Sequence, residues 1–178
     1  NAELGIDLGG DNVTPNRHQG GPSAIEQRPP SPVGINFRQN YPTLFFASVA
    51  GSNPTSVVQG SFLNWPGTRF RIEIFSVDEV DKSGFGEGKT LVGSQVVTTN
   101  DTGYAWFEIQ TGPLQATEYV SATATDTANN TSEFSAALPV GVRTRYFGAG
   151  YVVNTTLAGI PLHWPNGNGT YSISASVP

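Results

Sequence analysis

The chain has no cysteine and no methionine, only two histidines, and charged side chains at 13% of its 178 residues. Without cysteine there are no disulfides, no thiolate metal ligands and no thiol nucleophile, so packing and hydrogen bonds must hold the fold. The missing methionine points to a matured product or a piece of a longer chain, and removal of a signal sequence is the economical expectation. Charged residues stand at about half the usual share of a soluble domain, roughly 25%. The net charge of −5 argues against a nucleic-acid partner, which calls for clustered Lys and Arg. No apolar run approaches the ~20 residues of a membrane-spanning helix, so no membrane span is expected.

Gly, Pro, Ser, Thr and Asn fill the space that charge leaves, and they suit short strands joined by many turns. The length fits one domain with extensions better than two domains. Strand signals recur through the middle of the chain and predict strands at 43–50, 56–63, 68–76, 90–98, 104–110, 118–126 and 132–138. Arg69, Arg71 and Glu73 alternate with Phe70, Ile72 and Ile74, as a strand wet on one face requires. Ala105, Phe107 and Ile109 alternate with Tyr104, Trp106 and Glu108, which places Tyr104 and Trp106 outward if the first set faces the core. Val120, Ala122 and Ala124 alternate with Ser121, Thr123 and Thr125. Turns are marked by Ser52-Asn53-Pro54, Trp65-Pro66-Gly67, Asn100-Asp101-Thr102-Gly103 and Ala128-Asn129-Asn130. The expected fold class is all-β: an immunoglobulin-like antiparallel β-sandwich of about seven strands over 35–139.

An extended N-terminal arm is expected over 1–34, semi-rigid at Arg28-Pro29-Pro30-Ser31-Pro32, with Leu4-Gly5-Ile6-Asp7-Leu8 alternating as one short strand. A C-terminal β extension is expected over 140–178. There Tyr171 to Val177 alternates strictly, with Tyr151-Val152-Val153 and Ile160-Pro161-Leu162 as candidate partners.

Four segments carry a family resemblance. Leu4 to Asn16 (Leu-Gly-Ile-Asp-Leu-Gly-Gly-Asp-Asn-Val-Thr-Pro-Asn) is similar to a segment of large secreted bacterial cell-surface proteins. In those proteins it closes a right-handed parallel β-helix and leads into an Ig-like repeat. Gln39-Asn40-Tyr41-Pro42-Thr43-Leu44 resembles the next marker, and Ser83 to Ser94 resembles the family's long loop and following strand. Ala122 to Ser135 resembles its final hairpin almost residue for residue. Arg17-His18-Gln19 and a proline cluster stand where the family has an Asp-rich run, and the tail after Pro139 has no counterpart. The resemblance implies an Ig-like repeat used in surface display, adhesion and extracellular structure.

Catalytic residues are poorly provided. His18 falls in the arm and His163 beside Trp164-Pro165, and neither stands in a triad-like motif. Glu73, Glu87, Glu108 and Glu118 could pair in a fold, but their spacing selects none of them, so a non-enzymatic protein is expected. No cofactor is required. Calcium in a structural role is the candidate cation, because hard cations take clustered oxygen ligands. Asp7 and Asp11 offer one such cluster and Asp78 with Asp81 a second. Asp126 with Asn129 and Asn130 is a third, although Asp and Asn in hairpins commonly bond their own backbone. Asn-x-Ser/Thr sequons at Asn12, Asn100, Asn129, Asn130, Asn154 and Asn168 matter only where the source glycosylates.

The leading expectation is a structural subunit or module of an extracellular or cell-surface assembly. Its partners would be copies of itself or neighbouring surface-protein modules, met by strand complementation. The donor residues expected are Leu4, Ile6 and Leu8 at one end and Tyr171, Ile173, Ala175 and Val177 at the other. The alternative is a carbohydrate-binding or adhesive module that recognises a glycan through Trp65, Trp106 or Trp164.

Overall fold

The computed structural model describes residues 4–10, 12–16, 36, 39–50, 54–141, 143–147 and 151–155. Nine strands follow in chain order: β1 (Thr43–Ala47), β2 (Ser56–Leu63), β3 (Arg69–Val77), β4 (Thr90–Thr98), β5 (Tyr104–Thr111), β6 (Tyr119–Asp126), β7 (Leu138–Pro139), β8 (Arg143–Phe147) and β9 (Tyr151–Thr155). One sheet runs β5-β2-β1 and is extended past β1 by β8-β9; the other runs β4-β3-β6-β7. Every pairing is antiparallel. The first seven strands thus form a β-sandwich of three strands against four.

Alternation decides which face packs inward. On β5, Ala105, Phe107 and Ile109 are buried while Tyr104, Trp106, Glu108 and Gln110 are exposed. On β3, Phe70, Ile72 and Ile74 are buried, and Ile72 and Ile74 stand opposite Ala124 and Ala122 across the β3–β6 ladder. Phe62 of β2 meets Phe70 of β3 edge to face, with centroids 4.8 Å apart, so the two sheets touch through an aromatic pair. Each fully buried Phe, Ile or Val in this layer stabilises by about 1.5–3 kcal/mol over exposure.

The strict period of two breaks at three places. In β1 the register with β2 shifts between Leu44 and Phe46, so Phe45 is an extra residue and both Leu44 and Ala47 face the core. In β4 the register with β3 shifts at Ile74/Phe75, where Gly93 and then Leu91 are the partners. The third break corrects the strand expected over 132–138, of which only Leu138–Pro139 forms a regular strand. Ser132 and Ser135 each donate a backbone N–H to β6, at Ala124 and Ala122 (both 2.9 Å). The return bonds go to their hydroxyls: Ala124 N–H donates to Ser132 Oγ (3.0 Å) and Ala122 N–H to Ser135 Oγ (2.9 Å). Three steps from Ser132 to Ser135 oppose two on β6, so Glu133 and Phe134 are squeezed out of the ladder.

β6 was expected to be wet on one face, and it is not. Ser121, Thr123 and Thr125 are as buried as Val120, Ala122 and Ala124. The cause is a third layer over that face. Phe75, opposite Ser121 in the ladder, meets Phe134 edge to face at 5.4 Å. Gly88 packs so closely on both rings that a Cβ there would lie 2.6 Å from Phe134 and 2.7 Å from Phe75. The C-terminal extension is described only over β8 and β9. β9, which contains the expected Tyr151-Val152-Val153, pairs with β8, and β8 meets β1 at Phe46↔Arg143. Residues 160–162 and 171–177 lie outside the described residues. Among the described residues no helix is long and apolar enough to cross a membrane.

Candidate functional site

Glu133, squeezed out of the β6 ladder, is 2% exposed and turns to the N-terminal segment. Its Oε1 accepts the Leu8 backbone N–H and its Oε2 accepts that of Thr14, both at 2.8 Å. A buried carboxylate is tolerable only when its lone pairs are satisfied, and here two main-chain donors do so across more than a hundred residues of sequence. Leu8 is buried beside it, and Ile6 and Leu4 are half-buried. No strand forms over Leu4–Leu8, contrary to the alternation. The Asp7 carboxylate instead accepts backbone N–H groups of Gly9, Gly10 and Asn12, which coils the chain into a turn.

The next polar residues continue the attachment. Asn16 makes a reciprocal pair with the Tyr41 backbone, Nδ2 to the carbonyl and the amide to Oδ1, each 2.8 Å. Asn36 Nδ2 donates to Thr131 O (3.0 Å), and Gln39 Nε2 to Asn130 O (3.0 Å) and Ala124 O. Asn40 Nδ2 donates to Leu63 O at the end of β2 (2.8 Å), and the Tyr41 ring meets Phe85 edge to face at 5.4 Å. The loop after β3 joins in: Gly86 N–H donates to Ser135 O and Ala137 N–H to Gly84 O. The segments 4–16, 39–44, 83–94 and 122–135 therefore touch one another, with Glu133 joining the first to the last. Sequence reasoning missed Glu133, Asn16, Asn36 and Gln39 as working residues. Long-range side-chain bonds leave no periodic trace; the only signal was that each fell in or beside a resembling segment.

Among the described residues the expected cation ligands do not converge. Asp11 lies outside the described residues. Asp7 is occupied by the turn it caps. Asp78 pairs with Lys89, which holds the ammonium above its ordinary pKa of 10.5. Asp81 accepts the Ser83 N–H at 2.8 Å, and the Ser83 side chain and backbone hold its carboxyl below the ordinary 3.8. Asp126 accepts the N–H groups of Ala128 and Asn130 and the Asn130 amide, the hairpin-internal role weighed for it from the sequence. Among the described residues no three His, Cys, Asp or Glu side chains gather around a common point. Because the Asp81 pKa is depressed in the folded protein, its contribution is present above pH 3.8 and fades as pH falls through the folded value. Asp81→Asn is therefore expected to lower Tm slightly at neutral pH, with the difference vanishing in acid. A difference that persists at pH 2 would contradict this.

The four candidate carboxylates engage separate partners. Glu73 on β3 pairs with Arg71 (3.4 Å), and Glu108 on β5 accepts from Gln59 Nε2 (2.7 Å). Glu118 accepts the Gln115 N–H (2.7 Å), and Glu87 lies near Gly5. Of the aromatic candidates, Trp65 is half-buried and packed on the core at the β2–β3 corner. Trp106 is 52% and Tyr104 43% exposed on the outer face of β5. Trp164, His18, His163 and the Tyr171, Ile173, Ala175 and Val177 set lie outside the described residues. Fold and anchor together define a class: an all-β sandwich with its N-terminal segment fastened to its final hairpin. The chain matches no protein-family model, and a search of curated proteins found no significant relative.

Proposed function

We propose that the protein is a non-enzymatic structural subunit or module of an extracellular or cell-surface assembly, such as a fibre, surface layer or adhesin stalk. The observation that carries this reading is that described segments on both sides of the sandwich pack onto it. Residues 4–16 are fastened to the final hairpin through Glu133, and residues 143–155 add strands to the β1 edge. Among the described residues β9 is the last strand of its sheet, and an edge of that kind is what a strand from a neighbour would join. The family resemblance, with its surface-display implication, supports the same reading.

The test is the mass and shape of the native protein by light scattering and negative-stain electron microscopy, with and without a chelator. Ordered polymers are expected, and deletion of residues 165–178 should leave a folded sandwich that no longer polymerises. A stable monomer in both conditions, or undiminished assembly after the deletion, overturns the proposal. Chelator-sensitive polymers would add a cation as a clamp.

A further inference from the structure

The outer face of the β5-β2-β1 sheet is uncharged to an unusual degree. Those three strands carry a single ionisable carboxylate, Glu108, and no Lys or Arg. That carboxylate is taken up by Gln59 on the neighbouring strand. Against this background stand two exposed aromatic rings, Trp106 and Tyr104. They are two residues apart on one strand, so their side chains rise from the same face about 7 Å apart. The ladder sets Ser61 beside Trp106 and Thr43 beside Ser61, giving a row of small hydroxyls next to the indole. The Gln59–Glu108 amide–carboxylate pair forms the adjoining row.

We infer that this face is a binding platform for a neutral carbohydrate chain, with Trp106 and Tyr104 as stacking surfaces. A pyranose ring has an apolar face of C–H groups and a rim of hydroxyls. Aromatic faces match the first, and Ser, Thr, Gln and Glu side chains match the second. Hydroxyls are both donors and acceptors, so the Gln59 amide and the Glu108 carboxylate can each serve them, the carboxylate as an acceptor that keeps its single negative charge. β1, β2 and β5 carry no Lys or Arg to pair with uronate, sulfate or phosphate groups, and the Glu108 carboxylate repels such anions, which favours an uncharged glycan on this part of the sheet. Tyr and Trp, amphipathic and low in side-chain entropy, suit a wet ligand better than the aliphatic patch of a permanent protein interface. Trp65, packed on the core, takes no part.

The experiment uses the full chain with neutral oligosaccharide probes, namely gluco-, manno-, galacto- and xylo-hexaoses, by titration calorimetry, and the matching insoluble polysaccharides by pull-down. At least one probe should bind. Trp106→Ala should weaken it about tenfold or more and Tyr104→Ala several-fold, while Trp106→Phe retains part of the affinity, as expected for stacking worth ~1.4 kcal/mol or more. Val96→Ala, an equally exposed apolar residue on the other sheet, should change nothing. Both aromatic side chains are exposed, so circular dichroism should report unchanged folding. Failure of every neutral probe to bind, or binding that survives Trp106→Ala, overturns the inference. Loss of self-association in Trp106→Ala without any glycan binding overturns it too, and makes the face a protein interface. These readouts are independent of polymer formation.

Discussion

Replacing Glu133 by alanine is expected to release the N-terminal segment and to lower stability by about 3 kcal/mol, one of the two largest effects of any single change. Hydrogen bonds to a charged group contribute about 1.5–3 kcal/mol each, and two end on this carboxylate, at Leu8 and Thr14. The sum is discounted because the freed N–H groups regain water once the segment lifts away. Burial of Leu8 is lost with it. For a chain of this size the expected fall in Tm is roughly 6–12 °C. The local readout is sharper than the global one. Amide exchange at Leu8 and Thr14 should accelerate far more than at Phe107 or Ile72 in the core, which the anchor does not touch. Glu133→Gln keeps the shape and one acceptor oxygen, so it should fall between the native protein and Glu133→Ala. Unchanged exchange at Leu8 and Thr14 in Glu133→Ala would refute the anchor.

The anchor also explains which parts of the structure were legible in the sequence. Strands β2 to β6 begin and end within a residue or so of expectation, because each must bury one face and the period of two follows from that alone. The outward pair Tyr104 and Trp106 was legible for the same reason. Failures came where a side chain replaced a backbone group. Ser132 and Ser135 offer hydroxyls where a strand offers carbonyls, so most of the stretch expected as a strand over 132–138 is not one. Asp7 gathers three amides into a turn, so the alternation of Leu4, Ile6 and Leu8 reads as a strand and folds as a coil. The burial of Ser121 and Thr123 depends on Phe134 and Gly88 reaching a face across the fold. No local pattern encodes such a meeting.

The same dependence on a distant partner makes Gly60 the other position of large expected effect. Gly60 sits mid-strand in β2, directly opposite Phe107 of β5 and Leu44 of β1. A glycine there weakens a strand on propensity alone, so its presence needs a packing reason. The reason is the Phe107 ring, 1% exposed, which lies over the bare Cα. A Cβ at this site would stand 2.3 Å and 2.7 Å from Phe107 ring carbons and 2.8 Å from the Thr43 carbonyl oxygen. The ring is held by the core on its far side and cannot simply swing out. Gly60→Ala is therefore expected to cost about 3 kcal/mol, at the upper end of overpacking substitutions. A double-mutant cycle tests the cause. Phe107→Leu alone should destabilise by about 1–2 kcal/mol through the volume it removes. Combined with Gly60→Ala it should cost less than the sum, with a coupling of roughly 1–2 kcal/mol, because the shorter side chain vacates the space the methyl needs. Recovery should stay incomplete, since the Thr43 carbonyl belongs to the backbone of β1 and remains in place. Strict additivity of the two substitutions, measured by chemical denaturation, would mean that the ring is not what excludes a side chain from position 60.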